Sequence, residues 1–226
     1  VVTGRDRTPQ EVAASVEHAA KQFEDMHNHV IGVIANRSNP DEIDEVRAEL
    51  KTLNLGFTAA LPENRLLRAP SVRAQFEALG AEFLMGDESA LERESLSTVV
   101  AGMTLPNVLT RLEPECSVVA ASDRSDLLPG LLAAHSSQLF PRLSAIFLTG
   151  GYPMPDSIQQ LLESSKVQVP IGLVDRGTFW SASKLHDLKG SVMSSPRKHA
   201  EALRLFHDNV DEEALLNALD VRPTAL

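Results

Sequence analysis

The chain has 226 residues, 43% hydrophobic and 23% charged, with 12 Gly, 13 Pro and one each of Cys, Trp and Tyr; it is long enough to bury one sizeable core or two small ones, and a lone cysteine excludes a disulfide framework or a multi-cysteine metal site. The formal net charge is −10, with 9 basic against 13 acidic residues over 1–84 and 12 against 18 over 85–226, so neither half offers the clustered Lys and Arg that nucleic acid requires. No apolar run reaches the roughly 20 residues that cross a bilayer, and Val1-Val2-Thr3-Gly4 has neither the basic nor the apolar part of a secretory leader, which sets the expectation of a reduced, cytoplasmic setting with no membrane and no nucleic-acid partner.

Thr8-Pro9-Gln10-Glu11 predicts a helix start, with Thr as N-cap, Pro at the first helical position and Glu closing a capping box. Val12, Ala13, Val16, Ala19, Ala20 and Phe23 continue it at helical spacing. Residues 29–35 are a nearly unbroken apolar run, the pattern of a strand buried on both faces. Residues 41–53 read as a helix with Ile43, Val46, Leu50 and Leu53 on one stripe, and 55–60 as a further strand. A loop at 62–65 precedes a helix over 71–79, and Val1-Val2 reads as the end of a strand. This is βαβ patterning, which predicts a parallel sheet.

A break over 80–85 puts a domain boundary near 82, giving domains 1–82 and 83–226. The second series has strands at 97–103, 117–121, 145–149 and 171–174. It has a short helix at 106–112 and longer ones at 125–138, 155–164, 177–187, 197–209 and 211–219. The fold class is therefore α/β. Two or three strands are few for the first domain. The simplest account is an internal piece of a longer protein, whose unpaired sheet edge predicts self-association as a dimer or larger assembly.

The sharpest local signal is Leu148-Thr149-Gly150-Gly151-Tyr152-Pro153, after a strand and before a helix. It reads first as a turn that needs positive φ; the alternative is an anion held on the N–H groups of the next helix. It is not a Walker A sequence, since no Gly-Lys-Ser/Thr follows. Ser122-Asp123-Arg124-Ser125 opens another helix after a strand. Asp123 is either an N-cap or the group that orients Arg124 toward an anion or a partner chain. Asp175-Arg176-Gly177-Thr178 repeats the arrangement, so three carboxyl strand ends can converge on one sheet edge, where open α/β sheets bind ligands.

Asn36-Arg37 stands at the end of the first apolar strand. Asn36 can pair with a nucleobase, with Arg37 beside it, or cap the turn before Pro40. His27 and His29 alone make a poor metal site, and Cys116 reads as a buried thiol rather than a nucleophile. No G-x-S-x-G elbow occurs. Acidic stretches at 41–49 and 211–213 read as solvated helix faces or first turns.

From about Gly80 to Leu219 the chain resembles the DRTGG domain of long-form bacterial phosphate acetyltransferases. The likeness lies in Ser122-Asp123-Arg124, Phe147-Leu148-Thr149-Gly150-Gly151-Tyr152, Val169-Pro170-Ile171, and Asp175 and Thr178 with Phe179-Trp180. Gly4-Arg5-Asp6-Arg7-Thr8-Pro9-Gln10-Glu11, Gly32-Val33-Ile34-Ala35-Asn36-Arg37 and Leu61-Pro62-Glu63-Asn64-Arg65-Leu66 are similar to the latter half of the dethiobiotin-synthetase-like P-loop domain that precedes it in those enzymes. The resemblance implies a partial P-loop-type parallel sheet followed by a DRTGG α/β domain. It implies that the interconversion of acetyl-CoA plus phosphate with acetyl phosphate plus CoA belongs to a transferase domain after residue 226, and that the phosphate-binding loop lies before Val1. This region would then be regulatory: no catalytic residue, cofactor or metal, but an oligomer, contact with its own C-terminal transferase domain, and a small-molecule effector. Asp123, Arg124, Thr149, Gly150, Gly151, Asp175 and Thr178 are the effector or interface candidates, although Asp123-Arg124 is separated in sequence from Thr149-Gly150-Gly151. Two other readings stand: part of an ATP-dependent dethiobiotin-synthetase-like ligase or amidotransferase, resting on 1–79, and a ligand-sensing DRTGG module.

Overall fold

In the computed structural model, residues 1–124, 126–163, 167–192 and 195–220 are described. They form two units, residues 1–64 with the C-terminal segment from Pro196, and residues 65–195. The first begins with strand β1 (Val2–Thr3) and helix α1 (Pro9–Asp25), whose capping box between Thr8 and Glu11 forms as the sequence predicts. Strand β2 (Val33–Ser38), helix α2 (Ile43–Lys51) and strand β3 (Thr58–Pro62) follow. The three strands lie in the order β1-β2-β3, all parallel. Val12 and Val16 of α1 and Val46 and Leu50 of α2 cover one face, packed on Val33, Ala35 and Ala60.

The strand boundaries differ from the apolar runs. β2 starts at Val33 and continues through Asn36 and Arg37, because its ladder with β3 extends to Ser38 opposite Pro62. β3 likewise runs to Pro62, where the sequence pattern predicts a loop.

The second unit opens with a short helix, α3 (Arg65–Arg68), and then α4 (Val72–Leu79), capped by Ser71 and closed by Gly80 in the left-handed region. The 80–85 break holds a strand, β4 (Glu82–Met85). It is followed by β5 (Ser97–Val100), α5 (Leu105–Leu109), β6 (Cys116–Ala121), α6 (Leu127–Ser136), β7 (Leu143–Thr149), α7 (Asp156–Glu163), β8 (Ile171–Val174) and α8 (Thr178–Asp187). The sheet order is β4-β8-β7-β6-β5, parallel throughout except for antiparallel β4. The predicted strand at 97–103 is shorter, ending at Val100. Ser125, placed by the sequence reading in the Asp123–Arg124 turn and at the start of a helix, lies outside the described residues.

The two central strands are buried along nearly their whole length, and mostly apolar, because both faces are covered. Val118, Ala120, Ile146 and Leu148 pack against Leu127, Leu128 and Leu131 of α6. The alternate residues, Val119, Ala145 and Phe147, meet Val72, Phe76 and Leu79 of α4 and Leu185 of α8. The Phe76 and Phe147 ring centroids stand 5.0 Å apart.

The chain then returns to the first unit as α9 (Pro196–Asn209) and α10 (Glu212–Ala218). Phe206, Val210 and Leu215 pack with Phe57 and Ala59, on the second face of the three-stranded sheet. The units therefore divide at 64/65 and again at 195/196, whereas the sequence reading set one boundary at 82. The return of α9 and α10 to β3 is a long-range event that no local composition announces.

Candidate functional site

Parallel pairing of β6, β7 and β8 places their carboxyl ends side by side. Three turns leave that edge: Ser122-Asp123-Arg124, Gly150-Gly151-Tyr152 and Asp175-Arg176-Gly177. Backbone hydrogen bonds tie them together. The Ser122 N–H donates to the Thr149 carbonyl at 2.8 Å, and the Gly150 N–H to the carbonyls of Val174 and Arg176 at 2.9 and 3.0 Å. The Gly151 N–H reaches the Val174 carbonyl at 3.1 Å. Gly150 has φ +101° and Gly151 φ +71°, so the positive-φ reading of the motif holds. A Cβ on Gly151 would stand 3.2 Å from Asp175 Oδ1.

Side chains lock the same edge. Thr149, 1% exposed, has its Oγ1 2.7 Å from Thr178 Oγ1 and 3.2 Å from the Ala120 carbonyl. The Tyr152 N–H donates to Ser122 Oγ at 3.1 Å. The structure thus joins Thr149, Gly150, Gly151, Asp175 and Thr178. It also accounts for the N–H groups of both glycines within the fold. The following helix, α7, carries Asp156 in its first turn, a carboxylate where an anion would have to sit.

Arg124 takes a different partner from the one expected. Its Nε and Nη2 donate to the two Asp126 carboxylate oxygens at 2.8 and 2.9 Å. This pairing raises the guanidinium pKa and lowers that of Asp126. Asp126, not Asp123, therefore orients Arg124, and Asp126 also stands at the N-cap position of α6 without a side-chain capping bond. The Arg-x-Asp spacing was a visible signal, but two adjacent carboxylates compete for one guanidinium in the sequence. Arg176 lies 5.8 Å over the Trp180 ring. Tyr152, Phe179 and Trp180 are 61%, 87% and 41% exposed.

In the other unit, Asn36 lies inside β2 opposite Thr3 and Leu61, and its carbonyl accepts the Gly4 N–H at 2.8 Å. The turn before Pro40 is capped by Asn39, whose Oδ1 accepts the Asp41 N–H, so Asn36 does not have that role. Arg37, at φ +64°, stands 3.7 Å from the Glu63 carboxylate oxygen that Arg5 approaches at 3.6 Å. These residues line a cleft of about 400 Å³ at the carboxyl end of the three-stranded sheet. His27 and His29 are exposed, and among the described residues no group of three or more His, Cys, Asp or Glu could hold a metal ion. Cys116 is buried, and burial pushes its thiol pKa up, away from a nucleophile. Among the described residues no helix is long and apolar enough to cross a membrane.

Comparison with known proteins adds the family. The chain is 26% identical over 223 residues to a phosphate acetyltransferase of Nitratidesulfovibrio vulgaris, covering 95% of this chain and 32% of that protein. It is 26% identical over 212 residues to one from Synechocystis and 27% over 218 to one from Deinococcus radiodurans, covering 90% of this chain and 30% of the relative in each case. The chain thus spans about a third of the length of these curated relatives. A crystal structure of the CBS and DRTGG domains of the regulatory region of Clostridium perfringens pyrophosphatase, complexed with the activator diadenosine tetraphosphate, aligns with 75% of this chain and 77% of its own at 15% identity and a TM-score of 0.41. Residues 76–188, half of the chain, match the DRTGG domain, and the chain belongs to that family.

Proposed function

We propose that this chain is the effector-sensing and assembly region of a phosphate acetyltransferase, whose acyl transfer takes place in a domain outside these residues. The observation that carries the reading is similarity along 90–95% of this chain to about a third of each of three phosphate acetyltransferases, together with the DRTGG match. In this reading the latter half of a dethiobiotin-synthetase-like P-loop domain, expected over 1–82, is confined to residues 1–64; the parallel β1-β2-β3 sheet with α1 and α2 on one face supports that assignment. Asn36 and Arg37 then border a nucleobase position at the carboxyl edge of that sheet.

The effector or interface edge is the one formed by Asp123, Arg124, Thr149, Gly150, Gly151, Asp175 and Thr178. Thr149 and the two glycines hold its shape, and Arg124 and Arg176 supply cationic groups. Tyr152, Phe179 and Trp180 form an exposed aromatic border there, which supports self-association as a dimer or higher oligomer. The chain itself needs no cofactor in this account.

The test is made on the full-length protein. It should form acetyl phosphate from acetyl-CoA and phosphate, and removal of residues 1–220 should leave turnover but change its effector response and its sedimentation coefficient. A full-length protein with no such turnover refutes the proposal. A ligand-sensing DRTGG module attached to another output is the reading that would replace it, and the DRTGG match favours that alternative equally.

A further inference from the structure

At the amino ends of β7 and β8, opposite the Gly150 turn, the 65–195 unit holds two adjoining hollows. His135 in the last turn of α6, Arg142 just before β7 and Gln168 before β8 line a polar hollow of about 540 Å³. Leu132 of α6, Leu161 of α7 and Val167 line an apolar hollow of about 290 Å³. His135 and Gln168 belong to both walls, so the two form one groove with a polar and an apolar end. Among the described residues no Asp or Glu lines either part, in a chain of net charge −10.

The buried imidazole sets what the groove asks for. His135 is 9% exposed, and its Nδ1 accepts the Leu143 N–H at 3.0 Å. An accepting Nδ1 carries no hydrogen, so the ring hydrogen is on Nε2. Among the described residues that N–H finds no acceptor, and the ring borders both hollows, so the donor faces the groove. A buried donor without an acceptor is costly, and an acceptor in the groove removes that cost. Burial, then the positive charges of Arg142 and Arg93, hold the ring pKa below the usual imidazole range, so the potential at this donor is positive while the ring itself is neutral. Arg142 is exposed, and its carbonyl accepts the Glu115 N–H at 2.9 Å; among the described residues no carboxylate forms an ion pair with its guanidinium. Asp87, whose N–H donates to the Gln168 carbonyl, turns its own carboxylate to the Ser89 N–H at 2.9 Å.

We propose that this groove binds a monocarboxylate with a short aliphatic chain. One carboxylate oxygen accepts the His135 Nε2 hydrogen, and the other meets the Arg142 guanidinium, a fork suited to a planar anion of single charge. The chain lies in the apolar end on Leu132, Leu161 and Val167. An ammonium ligand would meet a donor and a positive potential, and an alcohol would leave the guanidinium without a counter-charge. The proposal does not depend on the transferase reading. A protein without acetyltransferase activity leaves it intact, and a groove that binds nothing leaves the family similarity intact.

The test is calorimetric titration of the 226-residue chain at pH 7.5 with hexanoate, hexanol, hexylamine and hexyl phosphate, with the imidazole signals of the histidine-labelled chain recorded by NMR. Hexanoate should bind at least about tenfold more tightly than hexanol or hexylamine. It should move the His135 ring signal, identified by its loss in His135→Gln. Arg142→Gln, at an exposed position that leaves the fold unchanged, should weaken hexanoate by about tenfold or more and leave hexanol unaffected. Leu161→Glu, also at an exposed position, places a like charge in the apolar end and should weaken hexanoate by a similar factor while circular dichroism stays unchanged. Absence of hexanoate binding up to about 10 mM, equal affinity for hexanol or hexylamine, tighter binding of hexyl phosphate, an unmoved His135 signal, or full affinity in folded Arg142→Gln protein would each overturn the proposal.

Discussion

The bond between Thr149 and Thr178 joins the end of β7 to the start of α8, and its loss is the most direct probe of the edge. Thr149→Val keeps the shape of the side chain and removes Oγ1. Thr149 and Ala120 are each 1% exposed, so no water replaces the missing hydroxyl beside the Ala120 carbonyl, whereas Thr178 is only half-buried. The Ala120 carbonyl loses a contact of 3.2 Å, and Thr178 loses one of 2.7 Å. Stranding buried polar groups in this way costs about 1–3 kcal/mol, against only about 0.5–1.5 kcal/mol for a hydrogen bond removed with both partners. Thr149→Val should therefore destabilise the 65–195 unit by about 2 kcal/mol. Thr149→Ser, which retains both bonds and loses one methyl group, should cost about 1 kcal/mol. The double variant Thr149→Val/Thr178→Val should cost less than the sum of the singles by about 0.5 kcal/mol or more. Urea unfolding followed by tryptophan fluorescence reads this directly, because the chain has one tryptophan, Trp180, in α8 itself. A Thr149→Val midpoint within error of the parent, or strict additivity in the double variant, would refute the assignment of this bond as a structural tie.

Gly150→Ala should destabilise the same unit by at least about 1 kcal/mol in the same assay, since φ +101° lies outside the left-handed well that alanine tolerates. His135 is buried and accepts the Leu143 N–H on Nδ1 at 3.0 Å; burial, then Arg142 and Arg93, hold its pKa below the usual imidazole range. Its neutral form is the folded form, so its contribution is complete above an unfolded pKa of about 6.5 and is lost as pH falls through the lowered folded value. The unfolding free energy should fall between pH 7.5 and pH 5, and His135→Gln should flatten that slope. Cys116 should react with a disulfide reagent at pH 8 orders of magnitude more slowly in the folded chain than in urea, because burial disfavours its thiolate. Rapid labelling without unfolding would show an accessible, activated thiol.

The parts of the fold legible in the sequence are those fixed by local or short-range physics. The helix start at Thr8 is written in four residues, and its capping box forms. Runs such as Ser117-Val118-Val119-Ala120-Ala121 announce a doubly covered strand because each alternate residue meets a different helix layer, α6 on one face and α4 with α8 on the other. β4 was illegible for the opposite reason. Glu82-Phe83-Leu84-Met85 is an edge strand, and only antiparallel pairing with Leu173, Gly172 and Ile171 makes it one. Phe206, Val210 and Leu215 belong to the first unit through contacts with Phe57 and Ala59, some 150 residues earlier in the chain. At the site, strand order alone brought the three turns together. Which carboxylate takes Arg124 depended on rotamers and helix geometry that spacing does not encode.

That division bears on what the Thr149-Gly150-Gly151 motif is for. Its N–H groups donate to carbonyls of Val174 and Arg176, and its hydroxyl bonds Thr178 and the Ala120 carbonyl. None of these groups has a donor left over for a ligand. The motif therefore acts by shape: two positive-φ residues turn the chain back so that Asp175 and Thr178 lie against it. In the proposed function, chemistry toward a ligand or partner comes from side chains that the turns carry, Arg124 and Arg176 among the cations and Phe179 and Trp180 among the aromatics. Substitutions in the motif should thus act on stability first, whereas substitutions at Arg176 or Phe179 should leave stability near that of the parent and change association or effector response. This separation is what distinguishes a structural motif from a binding one on the same sheet edge.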